Sequence, residues 1–282
     1  MDSPEVMVLL ASGALSVLFI YRWYKYCLSG VPIRRNIGLR TFLCLLPVLS
    51  FIIIVYTLTT LASFDVVSAP FFIFFYILIG ISWLYLSMFL TFFFFDVSWV
   101  DDVLNMSNPA AALAVFGGGL GVTLIYAGAN IGDGPGWWCV FFAGGLGVVT
   151  WVVLGVIANS ITKVFRRITV GRDICCGIRT CAYLISSGIL LGRASAGDWT
   201  SFAKTVEEFA DGWPVLGLTL IFIMIELLFL NSRKQDDFED NSSSIPISVM
   251  IGVLYIIVVI ITVYAFLPPL PVNPIYAVRI LL

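Results

Sequence analysis

The sequence predicts an all-α fold, a polytopic membrane helix bundle of about eight transmembrane helices that includes a tandem duplicated helical hairpin. Three observations lead to this prediction. First, 60% of the 282 residues are hydrophobic and only 11% are charged, whereas roughly 25% of the residues in a soluble domain are charged. Second, eight apolar runs are long enough to cross a bilayer. Third, the middle of the chain repeats its own pattern of polar and apolar residues.

The eight runs each approach the roughly 20 apolar residues that a membrane-spanning helix needs. The first run has an acidic leading end, Met1 to Glu5, and its positive charges come after it. We therefore expect a retained membrane anchor and not a cleaved signal peptide. The predicted spans are residues 7–28, 41–63, 70–95, 109–130, 137–161, 174–194, 213–232 and 246–268.

The distribution of Lys and Arg predicts the orientation of the bundle. With the N-terminus outside, the loops on the inner side carry eleven Lys and Arg residues, and the loops on the outer side carry three. The inner residues lie within 22–40, 163–172 and 233–234. Cytoplasmic loops are enriched in Lys and Arg, so we expect both termini to lie outside.

The stretch from 108 to 232 is interpreted as two copies of one two-helix hairpin, at 108–160 and 173–232. In each copy an Asn or Asp precedes the first apolar run, a Gly-Asp pair ends it, and an Asn-Ser pair ends the second run. Such side chains cap helices and form turns. The equivalent helix-end positions are Asn108 and Asp173, Asp133 and Asp198, and Asn159 and Asn231.

This pattern divides the chain into three regions. A three-helix membrane region at 1–100 precedes the duplicated core at 101–235, and an acidic inner loop, the eighth helix and a proline-rich outer tail follow at 236–282. Apolar residues at helical spacing in 201–209 predict a short amphipathic helix on the outer surface. Because proline fixes φ and lacks an amide donor, residues 267–274 are expected to be extended.

Glycines are concentrated in the fourth and fifth spans. Gly117 and Gly121, and Gly128 and Gly132, have the small-xxx-small spacing that lets helix backbones approach closely. Gly145 in the fifth span is assigned to helix packing as well. Two interpretations remain open for this density of glycine: packing between the two copies, or a thin-walled path or oligomer contact.

Two charged residues fall inside predicted spans. Arg179 lies six residues after Asp173, and Glu226 lies six residues before Ser232, so both are about 9 Å from the inner end. Charges inside a bilayer are costly unless paired or hydrated. We expect Arg179 and Glu226 to form an ion pair or to line a hydrated path. The alternative is that Arg179 extends to the inner headgroups along its flexible stem.

Composition excludes several classes of function. The chain has no histidine, which removes His-ligated haem, most catalytic zinc sites and His-based acid–base catalysis. A net charge of −2 provides no basic surface for nucleic acid. The six cysteines form no C-x-x-C pair and are expected to be buried apolar residues, with no metal site. We expect no cofactor and no enzyme activity.

The second copy, from Arg172-Asp173 through Gly197-Asp198, resembles a family of bacterial inner-membrane proteins of unknown function. Similar residues stand at Asn108-Pro109 and Gly121 in the first copy. The resemblance covers residues 105–232 and rests on glycine and helix-end patterns. It implies a duplicated hairpin fold, a location in a bacterial cytoplasmic membrane, and a link through gene context to envelope stress of the phage-shock type.

Two functions remain open from the sequence. In the first, the copies frame a narrow path for an ion or small solute at their interface, with Arg179 and Glu226 setting its charge selectivity. In the second, the protein is a non-catalytic structural or accessory membrane subunit, such as one that serves in envelope maintenance. The partners expected are the lipid bilayer and either further copies of the chain or a larger membrane complex. The phenylalanines from Phe92 to Phe95 would provide an apolar outer face for such assembly.

Overall fold

The computed structural model describes residues 3–28, 36–63, 66, 68–233 and 244–271, and of residues 231–233 and 244 only the backbone. The side chain of Asn231, most of the acidic inner loop and the end of the proline-rich tail therefore lie outside the described residues. Within these ranges eight helices are long and apolar enough to cross a membrane. They are α1 (Ser3–Leu28), α2 (Ile37–Thr60), α3 (Pro70–Phe95), α4 (Pro109–Ala129), α5 (Trp137–Thr162), α7 (Ile174–Ala194), α9 (Pro214–Arg233) and α10 (Ser244–Phe266).

Two short helices complete the numbering. α6 (Val164–Thr169) connects α5 to α7, and α8 (Phe202–Phe209) precedes a 3-10 turn at Ala210–Gly212. A π-helical segment, Trp99–Asn105, lies between α3 and α4. Each predicted span coincides with one of the long helices, so the prediction of an all-α polytopic membrane bundle is confirmed.

The two ends of the bundle are named here after the topology predicted from the sequence. α4, α7 and α10 begin at the inner end, whereas α5 and α9 begin at the outer end. α4 and α7 begin where a polar side chain caps them: Asn108 Oδ1 accepts from the amides of Ala110 and Ala111, and Asp173 Oδ1 accepts from that of Cys176. These caps satisfy amides that have no partner within the helix.

α4 and α7 are the most deeply buried spans, and they pack against each other along their length. Glycine permits the close approach. A Cβ atom at Gly117 would lie 2.8 Å from the Cα of Cys181, and one at Gly121 would lie 2.6 Å from the carbonyl oxygen of Leu184. The contacting positions advance together along both helices, so α4 and α7 run parallel.

The contact between α4 and α7 continues to the outer end. Gly128 lies against the backbone of Gly192, and Gly132 lies against that of Gly197. Gly132 also has φ +110, which side-chain-bearing residues rarely adopt. Backbone contact along this surface leaves no room for a side chain at these positions. The interface between the two predicted copies is therefore closed where a solute path was expected.

Gly145 does not pack against another helix within the described part of this chain. A Cβ atom at this position would meet no atom within 4 Å. The neighbouring Gly144 faces the ring of Trp83, and Gly147 faces Ile125. Consecutive positions on a helix point in different directions, and Gly145 lies on the side of α5 that faces away from the bundle.

The phenylalanines at the end of α3 do not form one outer face. Phe92, Phe93 and Phe94 are exposed, but Phe95 is buried. Its ring stacks on that of Phe165 of α6, with centroids 4.3 Å apart and an interplanar angle of 10°. Phe95 therefore fixes α6 beneath the inner end of the bundle, and only its three neighbours are available to lipid or to a partner.

Candidate functional site

A group of charged side chains lies between α6, α7, α9 and α10, just within the inner end of the bundle. The Asp173 cap sets the start of α7, which places Arg179 about 9 Å into the span. α9 runs in the opposite direction, and Glu226 lies seven residues before its last residue, Arg233. The two antiparallel helices thus bring one cation and one anion to similar depth.

Arg179 and Glu226 form a two-pronged ion pair. Arg179 Nε donates to Oε1 of Glu226 at 2.6 Å, and Nη2 donates to Oε2 at 3.0 Å. The exposed fraction is 1% for Arg179 and 0% for Glu226. Paired, charge-assisted hydrogen bonds of this kind are among the strongest in proteins. The alternative in which Arg179 extends to the inner headgroups is contradicted by this geometry.

Arg167 of α6 connects the ion pair to the inner surface. Its Nη1 donates to Oε2 of Glu226 at 2.8 Å, and its Nη2 donates to Oδ2 of Asp173 at 3.0 Å. The Arg167 side chain is 12% exposed. Burial alone would lower the pKa of its guanidinium, but the carboxylates of Glu226 and Asp173 raise it, and the net pKa is raised. The result is a neutral network of two arginines and two carboxylates.

The other side of the Arg179 guanidinium is also occupied. Nη1 donates to Oγ of Ser248 in α10 at 2.6 Å. The ring of Phe229 lies 4.1 Å from the guanidinium carbon, at a distance where a cation is attracted to an aromatic face. Charges in the membrane interior are tolerated when they are paired in this way, and the network joins four helices through polar contacts.

Polar side chains continue from this network toward the outer end, on the surface that α7, α9 and α10 share. The hydroxyl oxygens of Tyr183 and Thr219 lie 3.0 Å apart, and both residues are buried. The Tyr183 ring stacks on Phe222 at 4.1 Å with an interplanar angle of 5°. The buried Tyr255 of α10 lies beside Phe222. Three helices thus contribute polar groups to one membrane-buried interface, which we name the α7–α9–α10 interface.

At the outer end, the turns after α4 and α7 are joined to each other. The Asp133 amide donates to Oδ1 of Asp198 at 2.7 Å, and the Trp199 amide donates to the carbonyl of Asp133 at 2.6 Å. A cavity of about 50 Å³ lies beneath these turns. Its lining includes the buried polar residues Asn130 and Ser195.

A larger cleft of about 350 Å³ opens beside this cavity, between the end of α7, α8 and the first residues of the proline-rich tail. Arg193 holds the tail there by donating to the carbonyls of Pro268 and Pro269. Glu208 lines both the cavity and the cleft. The described part of the tail thus packs on the bundle.

The predicted site residues fall into two groups in the structure. Arg179, Glu226 and Asp173 meet in one network, whereas Asp133 and Asp198 meet at the opposite end. Of the others, Asn108 Nδ2 donates to the carbonyls of Ile168 and Thr169, and Asn159 Oδ1 accepts from the Phe165 amide. These two asparagines therefore position α6.

Sequence reasoning missed Arg167 and Ser248 as members of the site. Arg167 was counted among the positive charges of an inner loop, and a lone serine in an apolar span carries no signal of its own. The spacing from Arg167 to Asp173 is six residues, as from Asp173 to Arg179. Only the α6 turn, which the sequence does not reveal, directs Arg167 back toward the membrane interior.

Within the described ranges, no group of three or more His, Cys, Asp or Glu side chains is placed to hold a metal ion. Comparison with family models, curated proteins and solved structures finds no match to this chain.

Proposed function

We propose that this integral membrane protein conducts an ion or a small polar solute along the α7–α9–α10 interface. The structure would then correspond to a closed state, with the Arg179–Glu226 pair blocking the inner end of the path. One observation carries the proposal: polar side chains of three helices converge within the membrane and end at a charge network that reaches the inner surface through Arg167. In this proposal the protein moves a solute across the membrane and catalyses no chemical reaction.

The energetics of buried ion pairs support a functional role for the network. Replacing a buried ion pair by apolar residues of similar volume is often neutral or stabilising by about 1–4 kcal/mol. A bundle that needed only stability would therefore be served as well by leucines at positions 179 and 226. Ionisable groups retained inside a membrane instead mark ion pathways, relays and gates in many proteins.

We propose the path at a different interface from the one expected from the sequence. The α4–α7 interface between the two predicted copies is in backbone contact at Gly121 and Gly128, so it has no room for a solute. At the outer end, the cleft beside Glu208 lies between the end of α7 and the first residues of the tail that follows α10. This cleft is suitable as the outer entrance of the path.

Flux through proteoliposomes tests the proposal. We expect measurable flux of one of K⁺, Na⁺, Cl⁻ or H⁺ with the wild type, and greater flux with Glu226→Gln, because a neutral amide binds the two arginines less tightly. Thr123→Val is the matched control. Thr123 Oγ1 donates to Oγ of Ser50 at 2.9 Å, and this buried hydrogen bond joins α4 to α2 outside the α7–α9–α10 interface. Folded protein that gives no more flux than empty liposomes, in all three forms, would refute conduction.

A second candidate function is assembly as a structural or accessory subunit. Gly145 on α5 and Gly217 on α9 would each present a Cβ to open space, and small residues on an outward surface allow another helix to pack closely. The resemblance to bacterial inner-membrane proteins linked to envelope stress favours a role in membrane maintenance. Assembly predicts an oligomer in mild detergent that Gly145→Leu dissociates; a monomer in both forms would reject it.

A further inference from the structure

Of the residues that the structure describes, two buried hydroxyl groups have no hydrogen-bond partner, Ser186 Oγ and Tyr255 OH. Ser186 follows Arg179 and Tyr183 on one stripe of α7, at spacings of four and three residues. Tyr255 follows Ser248 by seven residues on α10, and both are buried. Both hydroxyls therefore belong to the α7–α9–α10 interface.

We expect the Tyr255 hydroxyl to face the charge network. Long side chains on a helix point back toward its N-terminus, which for α10 is the inner end, where Ser248 accepts a hydrogen bond from Arg179. The Tyr255 ring lies 6.3 Å from that of Phe222. Phe222 lies four residues before Glu226 on α9, about one turn closer to the outer end. The hydroxyl thus lies on the outward side of the ion pair.

An unbonded hydroxyl in a membrane interior is unfavourable, because it loses its hydration and gains nothing in return. A phenylalanine at position 255 would avoid that loss. Buried polar groups of this kind are usually satisfied by ordered water, which needs two to four polar partners. The Ser248 hydroxyl carries a proton that it can donate, and the carboxylate of Glu226 has more acceptor sites than its three guanidinium bonds use.

We propose that Tyr255 OH, Ser248 Oγ and the Glu226 carboxylate bound an internal site that binds water, on the outward side of the Arg179–Glu226 pair. The occupant must donate and accept hydrogen bonds. We expect it to be uncharged, because the two arginines and the two carboxylates that the structure describes in the network balance each other in charge. That this water lies on a conduction path rests on the proposed function, but its binding does not.

Radiolytic labelling of the purified wild-type protein tests the site. X-ray pulses generate hydroxyl radicals from water in place, so a side chain beside bound water is oxidised even when it is buried. Tyr126 is the internal control, since it is fully buried and its hydroxyl donates to the carbonyl of Tyr76 at 2.6 Å. We expect Tyr255 to be oxidised several-fold faster than Tyr126. Equal rates would overturn the proposal.

A second test removes Ser248, one of the proposed hydrogen-bond partners of the bound water. Ser248→Ala is expected to reduce the labelling rate of Tyr255 and to leave that of Tyr126 unchanged. An unchanged rate at Tyr255 would contradict the site as proposed. Because labelling measures no flux, a protein that conducts nothing but is labelled rapidly at Tyr255 would retain the water site and reject the proposed function.

Discussion

Glu226 is the residue on which the inner charge network depends. Its carboxylate accepts three hydrogen bonds, two from Arg179 and one from Arg167. Without Glu226, Arg167 would keep Asp173, whereas Arg179 would keep the Ser248 hydroxyl and the Phe229 ring but no described carboxylate. Without Arg179, by contrast, Glu226 would keep one cation. Loss of Glu226 therefore leaves a buried cation without a counter-ion, whereas loss of Arg179 leaves a buried carboxylate that still has one.

This asymmetry gives the first prediction. Glu226→Ala is expected to lower the free energy of unfolding in detergent by about 3–5 kcal/mol, because it leaves a buried guanidinium without a counter-ion. Arg179→Ala is expected to cost less. The double variant Arg179→Met, Glu226→Leu removes both charges and should recover most of the loss. A double variant less stable than Glu226→Ala would show that the pair contributes stability by itself.

Exchanging the two charges provides a second prediction. In Arg179→Glu with Glu226→Arg, the arginine at position 226 would face Arg167, which now donates to Glu226 at 2.8 Å. Like charges at this distance repel. We therefore expect the exchanged pair to regain the thermal stability that Glu226→Ala loses only when Arg167→Gln is added. Full restoration by the exchange alone would mean that Arg167 is not part of the buried network.

At the scale of the helix, the glycines differ in role according to the side of the helix on which they lie. Gly128 of α4 lies in contact with the backbone of Gly192 in α7, whereas Gly145 of α5 faces open space. The small-xxx-small pattern agrees with the position of the α4 glycines that contact α7, since a tight helix pair needs small residues at that spacing. It could not show which way Gly145 faces.

A matched pair of alanine variants gives the third prediction. Gly128→Ala is expected to destabilise the protein strongly, because the added methyl group would overlap the backbone of Gly192 and force α4 and α7 apart. Gly145→Ala should be neutral or stabilising by up to about 1 kcal/mol, since alanine favours the helix. Melting temperatures in detergent compare the two. Similar losses from both would indicate that Gly145 is covered by another helix.

For the whole molecule, the fold sets which connections share a side of the membrane. The turn after α4 and the turn after α7 are bonded to each other, so both lie on one side, and α6 lies on the other. The charge pattern of the sequence predicts that α6 lies on the cytoplasmic side. Labelling of intact cells reports this assignment directly.

The fourth prediction concerns that orientation. Pro135→Cys and Val170→Cys place thiols at exposed positions at the outer and inner ends. A membrane-impermeant maleimide should label Pro135→Cys in intact cells, and should label Val170→Cys only after permeabilisation. The native cysteines are buried or partly buried, which keeps the background low. The reverse pattern would invert the topology and place the charge network near the outer leaflet.

The sequence by itself determined the number of the spans and their limits to within four residues, because bilayer thickness imposes a length on every apolar helix. It also identified the caps at Asn108 and Asp173, since capping is local. The pairing of Arg179 with Glu226 was one of two alternatives, because an unpaired charge is costly in lipid. Tertiary structure decided between them, closed the α4–α7 interface and added Arg167 and Ser248. Those features depend on how each helix is rotated and in what register it packs, and a uniformly apolar span has no pattern that specifies either.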